Sequence, residues 1–187
     1  RQGMHMANRV IAVSYLTKNI ITSRYGLPAE RVSVVYNAVD LDGNGTANGA
    51  TAIGRDEKLV LFLGRITMQK GPEYFIEVAR KVLKKMDNVR FVMAGSGDMM
   101  IKMISHAASL RIMDKFHFTG FLRGDDVYRM FSLTDVYVMP SVSEPFGISP
   151  LEAMQSNVPV IISKQSGVAE ILKHAIKVDF WDVDAIA

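Results

Sequence analysis

The chain holds 187 residues, 49% of them hydrophobic and 22% charged, an ordinary globular composition that is enough for one core and short for two full domains. It has no cysteine, which excludes disulfides, thiol catalysis and cysteine-ligated zinc and suits a reducing compartment such as the cytoplasm. The net charge of +3 suits an anionic ligand or peripheral contact with an anionic membrane surface; no dense Lys/Arg stripe interleaved with aromatics is present, which argues against nucleic acid, and no apolar run reaches the roughly 18 residues of a bilayer span.

No signal peptide is visible. Residues 1–6 lack an initiating Met at position 1 and run into a strand-like segment, so the chain reads as an excised fragment. Residues 9–13 (RVIAV) predict a short buried strand. Ser14 is placed to cap a helix from Tyr15 to Tyr25, and Gly26 sits where a left-handed C-cap belongs. Residues 32–36 (VSVVY) predict a second strand. Residues 41–54, rich in Gly and Asn, predict a flexible loop or hinge, which we bound as residues 41–56. A regular alternation follows. Residues 59–63 (LVLFL) form a continuous apolar strand. Pro72 opens a helix with an inward stripe of Phe75, Val78, Ala79, Val82, Leu83 and Met86. Strand 89–94, the turn Gly95-Ser96-Gly97-Asp98, helix 99–109 and strand 115–119 come next. Asp125 is expected to cap a helix to residue 133, with Val127, Met130 and Phe131 inward. Strand 136–139, helix 149–155, strand 158–162, short helix 168–173 and strand 176–178 complete the pattern. Residues 182–187 start a further helix. Strands apolar on both faces and alternating with helices imply an α/β, Rossmann-like, doubly wound parallel sheet. Ligands on such sheets bind beyond the C-terminal strand ends, so the loops after strands are where chemistry is expected.

Two such loops carry candidate groups. The first, Gly64-Arg65-Ile66-Thr67-Met68-Gln69-Lys70-Gly71, follows the strand LVLFL. Gly64 lets the backbone approach a ligand closely. Arg65 offers a planar charged fork and Lys70 a compact cation, a pair able to hold a diphosphate without metal. A solvated basic loop is the equally weighted structural alternative. The order of residues is not that of a P-loop. The second loop and the helix after it run from Glu144 through Pro145, Phe146, Gly147, Ile148, Ser149, Pro150 and Leu151 to Glu152, Ala153 and Met154, with the two carboxylates eight positions apart. Ser149, Pro150 and Glu152 match Ncap, N1 and N3 of a capping box. The same helix start offers free N–H groups for an anion, and the carboxylates can accept from ribose and sugar hydroxyls.

This second run resembles the E-x7-E motif of the retaining GT-B glycosyltransferases of group one (family four). The resemblance covers nearly the whole chain: VIAVS and VVYNAVD are similar to the end of that family's acceptor domain and its interdomain junction. LFLGRITMQKG, FVMAGSGD, FTGFL, DVYVMPSVSEPFGISPLEAM and VPVIISKQSGVAEIL then follow in family order. The resemblance implies the C-terminal, donor-binding half of a GT-B fold in residues 57–187, truncated at its C-terminus, after a tail of the acceptor domain in residues 1–40. It implies transfer of a hexosyl group from a nucleotide-diphosphate sugar to an acceptor hydroxyl, in carbohydrate biosynthesis, with no metal and no other cofactor. Arg65 and Lys70 would contact the diphosphate and, with Glu144, make up the catalytic set. Glu144 would hold the donor sugar. Backbone N–H groups of Phe146, Gly147 and Ile148 would face the sugar and distal phosphate near Ser149. Glu152 would bind the ribose, Phe121 and Leu122 would line the base pocket, and Gly64 would belong to the donor-binding set. The acceptor would be bound by a missing N-terminal domain, so the isolated fragment is expected to be inactive.

Two departures from the family pattern stand out. Ser166-Gly167 replaces a double glycine, and Asn157 stands where glycine often ends the helix; Asn tolerates the left-handed region. Gly95-Ser96-Gly97 is only part of a dinucleotide-binding fingerprint, which argues against NAD. The four His residues have no ligand spacing, which argues against a metal. The methionines read as core filler, and Trp181 as packing against a missing segment. Rival readings are a nucleotide-sugar epimerase of similar fold and a non-catalytic nucleotide-binding module.

Overall fold

A computed structural model describes residues 2–39 and 56–187. The expected hinge at residues 41–56 lies outside the described residues except for its last position. The chain opens with helix α1 (Gln2–Met6), a short element where the sequence suggested none, then strand β1 (Val10–Ala12) and helix α2 (Tyr15–Tyr25). Local chemistry bounds α2 as expected. The Ser14 side chain accepts from Thr17 N–H at one end, and Gly26 adopts φ 68° at the other. Strand β2 (Val32–Val34) pairs in parallel with β1. It stops two residues short of the expected end, because Tyr36 turns away to contact Phe146.

The larger sheet comprises β3 (Lys58–Leu63), β4 (Val89–Ala94), β5 (Phe116–Gly120), β6 (Val136–Met139), β7 (Val160–Ser163) and β8 (Ile176–Val178). Between them run α3 (Pro72–Val82), α4 (Met100–Ser109), α5 (Asp125–Ser132) and α6 (Ser149–Gln155), with α7 (Val183–Ile186) last. The order across the sheet is β5-β4-β3-β6-β7-β8, and every pairing is parallel. The chain builds outward from β3 in one direction as far as β5. It then returns to β6, on the other side of β3, and builds the opposite way. The strand order therefore reverses between β3 and β6, where a crevice opens at the C-terminal strand ends.

Alternation within the strands fills both faces. Leu59, Leu61, Val92, Ala94, Tyr137 and Met139 point into one core with Phe131 and Ala153. Phe62, Phe91, Met93 and Val138 point into the other with Phe75, Met103 and Ile186. The α3 stripe is Phe75, Ile76, Val78 and Ala79; the helix ends at Val82, and Met86 beyond it is exposed. Met93, Met103 and Met139 are core filler, whereas Met6 and Met68 are exposed. Gly124, not Asp125, is the N-cap of α5, and Asp125 is the first helical residue. Residues 167–170 form a single 3-10 turn instead of the expected short helix over 168–173. Asn157 takes φ 58°, as its position at the end of α6 requires. Trp181 is exposed, with its ring edge-on to Phe180. Among the described residues no helix is long and apolar enough to cross a membrane.

Candidate functional site

The loops that follow β3 and β6 meet at the point where the strand order reverses. Three contacts join them. Val142 N–H donates to Gln69 O at 2.9 Å, the Gln69 amide donates to Ser143 O at 2.9 Å, and Gly71 packs so close to Pro140 O that a Cβ there would lie 2.1 Å from it. Gly71 also adopts φ 66°, which favours glycine. This docking brings Lys70 onto Glu144 as an ion pair, 74 positions apart in sequence. Glu144 is 7% exposed, so burial there depends on a cation alongside. The backbone of Glu144 is fixed independently: its N–H donates to Gln165 O at 3.0 Å, and its carbonyl accepts from Gly167 N–H at 2.9 Å.

Gly147 has φ 99° and lets the chain turn over Glu144 Cγ and Met139 Sδ. After it, Ile148 is already helical in conformation, so Ile148 takes the N-cap position and Ser149 lies inside the helix. The expected Ser149–Glu152 capping box is therefore not formed; no side-chain cap bond is present there. The Ser149 side chain is instead hydrogen-bonded with Tyr137, a buried β6 residue whose hydroxyl also donates to Leu63 O at 3.3 Å. Burial pushes the Tyr137 phenol up, and the nearby charges of Glu144 and Glu152 push the same way against the bond to Ser149. Glu152 is half-buried, and burial raises its carboxyl above the usual range. The N–H groups of Phe146, Gly147 and Ile148 have no acceptor among the described residues, while the Phe146 ring is buried.

Arg65 stands apart from the pair. Its guanidinium donates to Gln69 Oε1 at 3.5 Å. It lines a cavity of about 400 Å³ together with Gly64, Gly95, Ser96, Phe121 and Leu122. Phe121 is 63% exposed at its mouth and carries Arg123 over its ring at 5.1 Å. The cavity owes its floor to a tight approach of two loops. A Cβ on Gly95, at φ 144°, would sit 1.8 Å from Gly64 O. Ile66 N–H donates to Ser96 O at 2.9 Å, and a Cβ on Gly97 would sit 2.2 Å from Ile66 O. The partial glycine fingerprint thus packs loop on loop.

The predicted residues thus form two adjoining groups: Gly64, Arg65, Phe121 and Leu122 around the cavity, and Lys70, Glu144 and Gly147 at the strand-order reversal, with Ser149 and Glu152 on the helix behind. Sequence reasoning missed Tyr137, Gln69 and Gly95. Gly95 carried a signal, a glycine directly after a strand, whereas Tyr137 and Gln69 act through partners distant in sequence. Among the described residues no cluster of His, Asp or Glu could hold a metal ion. His106 pairs with Glu77 at 2.9 Å on the helical face.

The family model described as Glycosyl transferases group 1 matches residues 46–187, and the one described as Glycosyltransferase Family 4 matches residues 1–42. An uncharacterized glycosyltransferase of Methanocaldococcus jannaschii is 39% identical over 90% of this chain and 45% of its own length. The alpha-D-kanosaminyltransferase of Streptomyces kanamyceticus is 31% identical over 92% of this chain and 47% of its own. The crystal structure of Anabaena HepE in complex with UDP and glucose superposes with a TM-score of 0.85 at 22% identity, covering 97% of this chain and 52% of that one. The chain spans about half the length of each of these three proteins. Its parallel six-stranded sheet is the Rossmann-like half of a GT-B fold, and the chain belongs to the group 1 glycosyl transferases.

Proposed function

We propose that this chain binds a nucleotide-diphosphate sugar, and that the whole protein transfers the glycosyl group to an acceptor hydroxyl with retention of configuration. The observation that carries the reading is the convergence of Lys70 and Glu144 at the reversal of strand order, beside the cavity lined by Gly64, Arg65, Phe121 and Leu122. The relatives' names and the Anabaena complex, which holds UDP and glucose, support it.

In this reading the base enters the cavity against Phe121 and Leu122, and the ribose reaches Glu152. The diphosphate lies by Arg65 and Lys70. Lys70 then exchanges its carboxylate partner for phosphate oxygens, and Glu144 turns to the sugar hydroxyls. The N–H groups of Phe146, Gly147 and Ile148 are free to face the sugar and the distal phosphate. Breaking the bond to the anomeric carbon leaves negative charge on the diphosphate. Arg65 and Lys70 stabilise that charge as it develops, which is electrostatic catalysis without a metal. Residues 57–187 form the donor-binding unit, and residues 1–40 belong to the unit that presents the acceptor.

The test is calorimetric titration with UDP, GDP and ADP, in EDTA and again in magnesium. One diphosphate is expected to bind with the same affinity in both buffers. Binding that appears only with magnesium removes the metal-free account, and no binding of any diphosphate removes the donor-site reading.

A further inference from the structure

Glu170 lies outside the proposed donor contacts, yet it makes three hydrogen bonds to elements more than 130 positions away. Its Oε1 accepts from Leu16 N–H at 2.7 Å, and its Oε2 from Tyr15 N–H at 2.9 Å and from the Tyr36 hydroxyl at 2.9 Å. Leu16 and Tyr15 open helix α2, so the carboxylate satisfies two otherwise orphan donors at the positive end of an 11-residue helix. The same helix start grips the loop after β6. Ser14 Oγ donates to Pro145 O at 2.6 Å, and Thr17 Oγ1 to the same oxygen at 3.2 Å. Pro145 follows Glu144 directly.

The turn that carries Glu170 holds this loop from the other side. Gly167 N–H donates to Glu144 O, and Val168 N–H to Phe146 O at 2.8 Å. The three parts touch without slack: a Cβ on Gly167 would lie 2.2 Å from Pro145 O and 2.5 Å from Ser14 Cβ. The Tyr36 ring packs on Phe146 at 6.0 Å between centroids. Residues 144–146 are thus clamped between the start of α2, from the smaller sheet's unit, and the turn of residues 167–170. Glu170 hydrogen-bonds the two jaws to each other.

We infer that Glu170 is a positioning residue: through α2 and the 167–170 turn it fixes the loop that presents Glu144 and the free N–H groups of residues 146–148 to the donor's sugar. This inference rests on the donor-site reading above. It divides the site in two. The cavity side, at Gly64, Arg65, Phe121 and Leu122, stands on β3, β4 and β5 and makes none of the clamp's hydrogen bonds. The sugar side depends on it.

The experiment uses the whole protein and its Glu170→Ala and Glu170→Gln variants. The probes are UDP, GDP and ADP with UDP-glucose, UDP-N-acetylglucosamine, ADP-glucose, GDP-glucose and GDP-mannose; the conjugate that binds the unmodified protein best is compared with its own diphosphate. In Glu170→Ala the diphosphate, which keeps Arg65 and Lys70 and loses only part of its contact with the N–H groups of residues 146–148, is expected to lose at most about threefold in affinity, while the affinity ratio of conjugate to diphosphate falls at least tenfold. Glu170→Gln, whose amide oxygen still accepts, is expected to restore part of that ratio. An unchanged ratio, or an equal loss for diphosphate and conjugate, overturns the inference. If Glu170→Ala does not fold, Ser14→Ala and Tyr36→Phe each remove one bond of the clamp and are expected to lower the ratio about threefold; no change in either overturns it. Amide hydrogen exchange, measured without ligand, separates the two readings. The Gly167 amide is expected to exchange at least tenfold faster in Glu170→Ala, with Ile66 unchanged, even if no diphosphate binds; equal Gly167 exchange overturns the clamp itself.

Discussion

Arg65 and Lys70 stand five positions apart on one loop, but the structure gives them different duties. Arg65 is free to meet a ligand at the cavity edge, and its removal is expected to leave the fold unchanged. Lys70 compensates a buried carboxylate, so its loss is expected to cost stability as well. Charge-assisted bonds contribute about 1.5–3 kcal/mol each, so Arg65→Ala and Lys70→Ala are each expected to weaken diphosphate binding about tenfold or more. Only Lys70→Ala is expected to lower stability as well, by about 3 kcal/mol, because it strands Glu144. Calorimetry and urea denaturation check the pair. Equal stability of the two variants would separate Lys70 from Glu144 in solution.

Glu152 illustrates a second residue-scale consequence. It caps nothing, and its carboxyl is raised by burial. A raised acid holds its proton longer in the folded state, so the folded chain binds more protons than the unfolded one. Stability therefore falls as pH rises from the ordinary carboxylate range through the raised value. Glu152→Gln removes that loss. Its melting temperature relative to the unmodified chain is expected to be higher at pH 7 than at pH 4, while nucleotide affinity at pH 7 falls. A difference in melting temperature that is the same at both pH values would remove the burial account.

At the scale of elements, what the sequence revealed depended on the range of the interaction that sets each boundary. Helix α2 was legible from Ser14 to Gly26 because both caps are local chemistry. The strands were legible as apolar runs because both their faces are covered. The start of α6 was legible in place but not in detail, since Ser149 is drawn to Tyr137 on β6. Lys70 and Glu144 were each visible in their loops, but their pairing needs β3 and β6 to be neighbours, and no local pattern reports that. The loop contact between Gly64 and Gly95 is of the same kind. It leads to an element-scale prediction: Gly95→Ala places a methyl group into the Gly64 carbonyl and must part the two loops. Overpacking of this kind costs about 1–3 kcal/mol. A fall in stability on thermal unfolding, with weaker diphosphate binding, is expected. A variant equal to the unmodified chain in both would show that the loops are not held together.

For the molecule as a whole, one topological fact organises the rest. Because β3 lies between β4 and β6, loops from both directions of winding converge on one crevice. The small β1–β2 sheet and α2 are joined to the large sheet's loops by Ser14, Thr17 and Glu170. The central claim is that a nucleotide sugar lies across this crevice, with its base in the cavity and its sugar at Glu144. The most direct measurement is the structure of the whole protein with its bound nucleotide sugar. The account predicts the base against Phe121 and Leu122, the diphosphate in contact with Arg65 and Lys70, and sugar hydroxyls on Glu144 with the Lys70–Glu144 pair opened. A nucleotide sugar bound elsewhere, or one that leaves the Lys70–Glu144 pair closed and untouched, would contradict it.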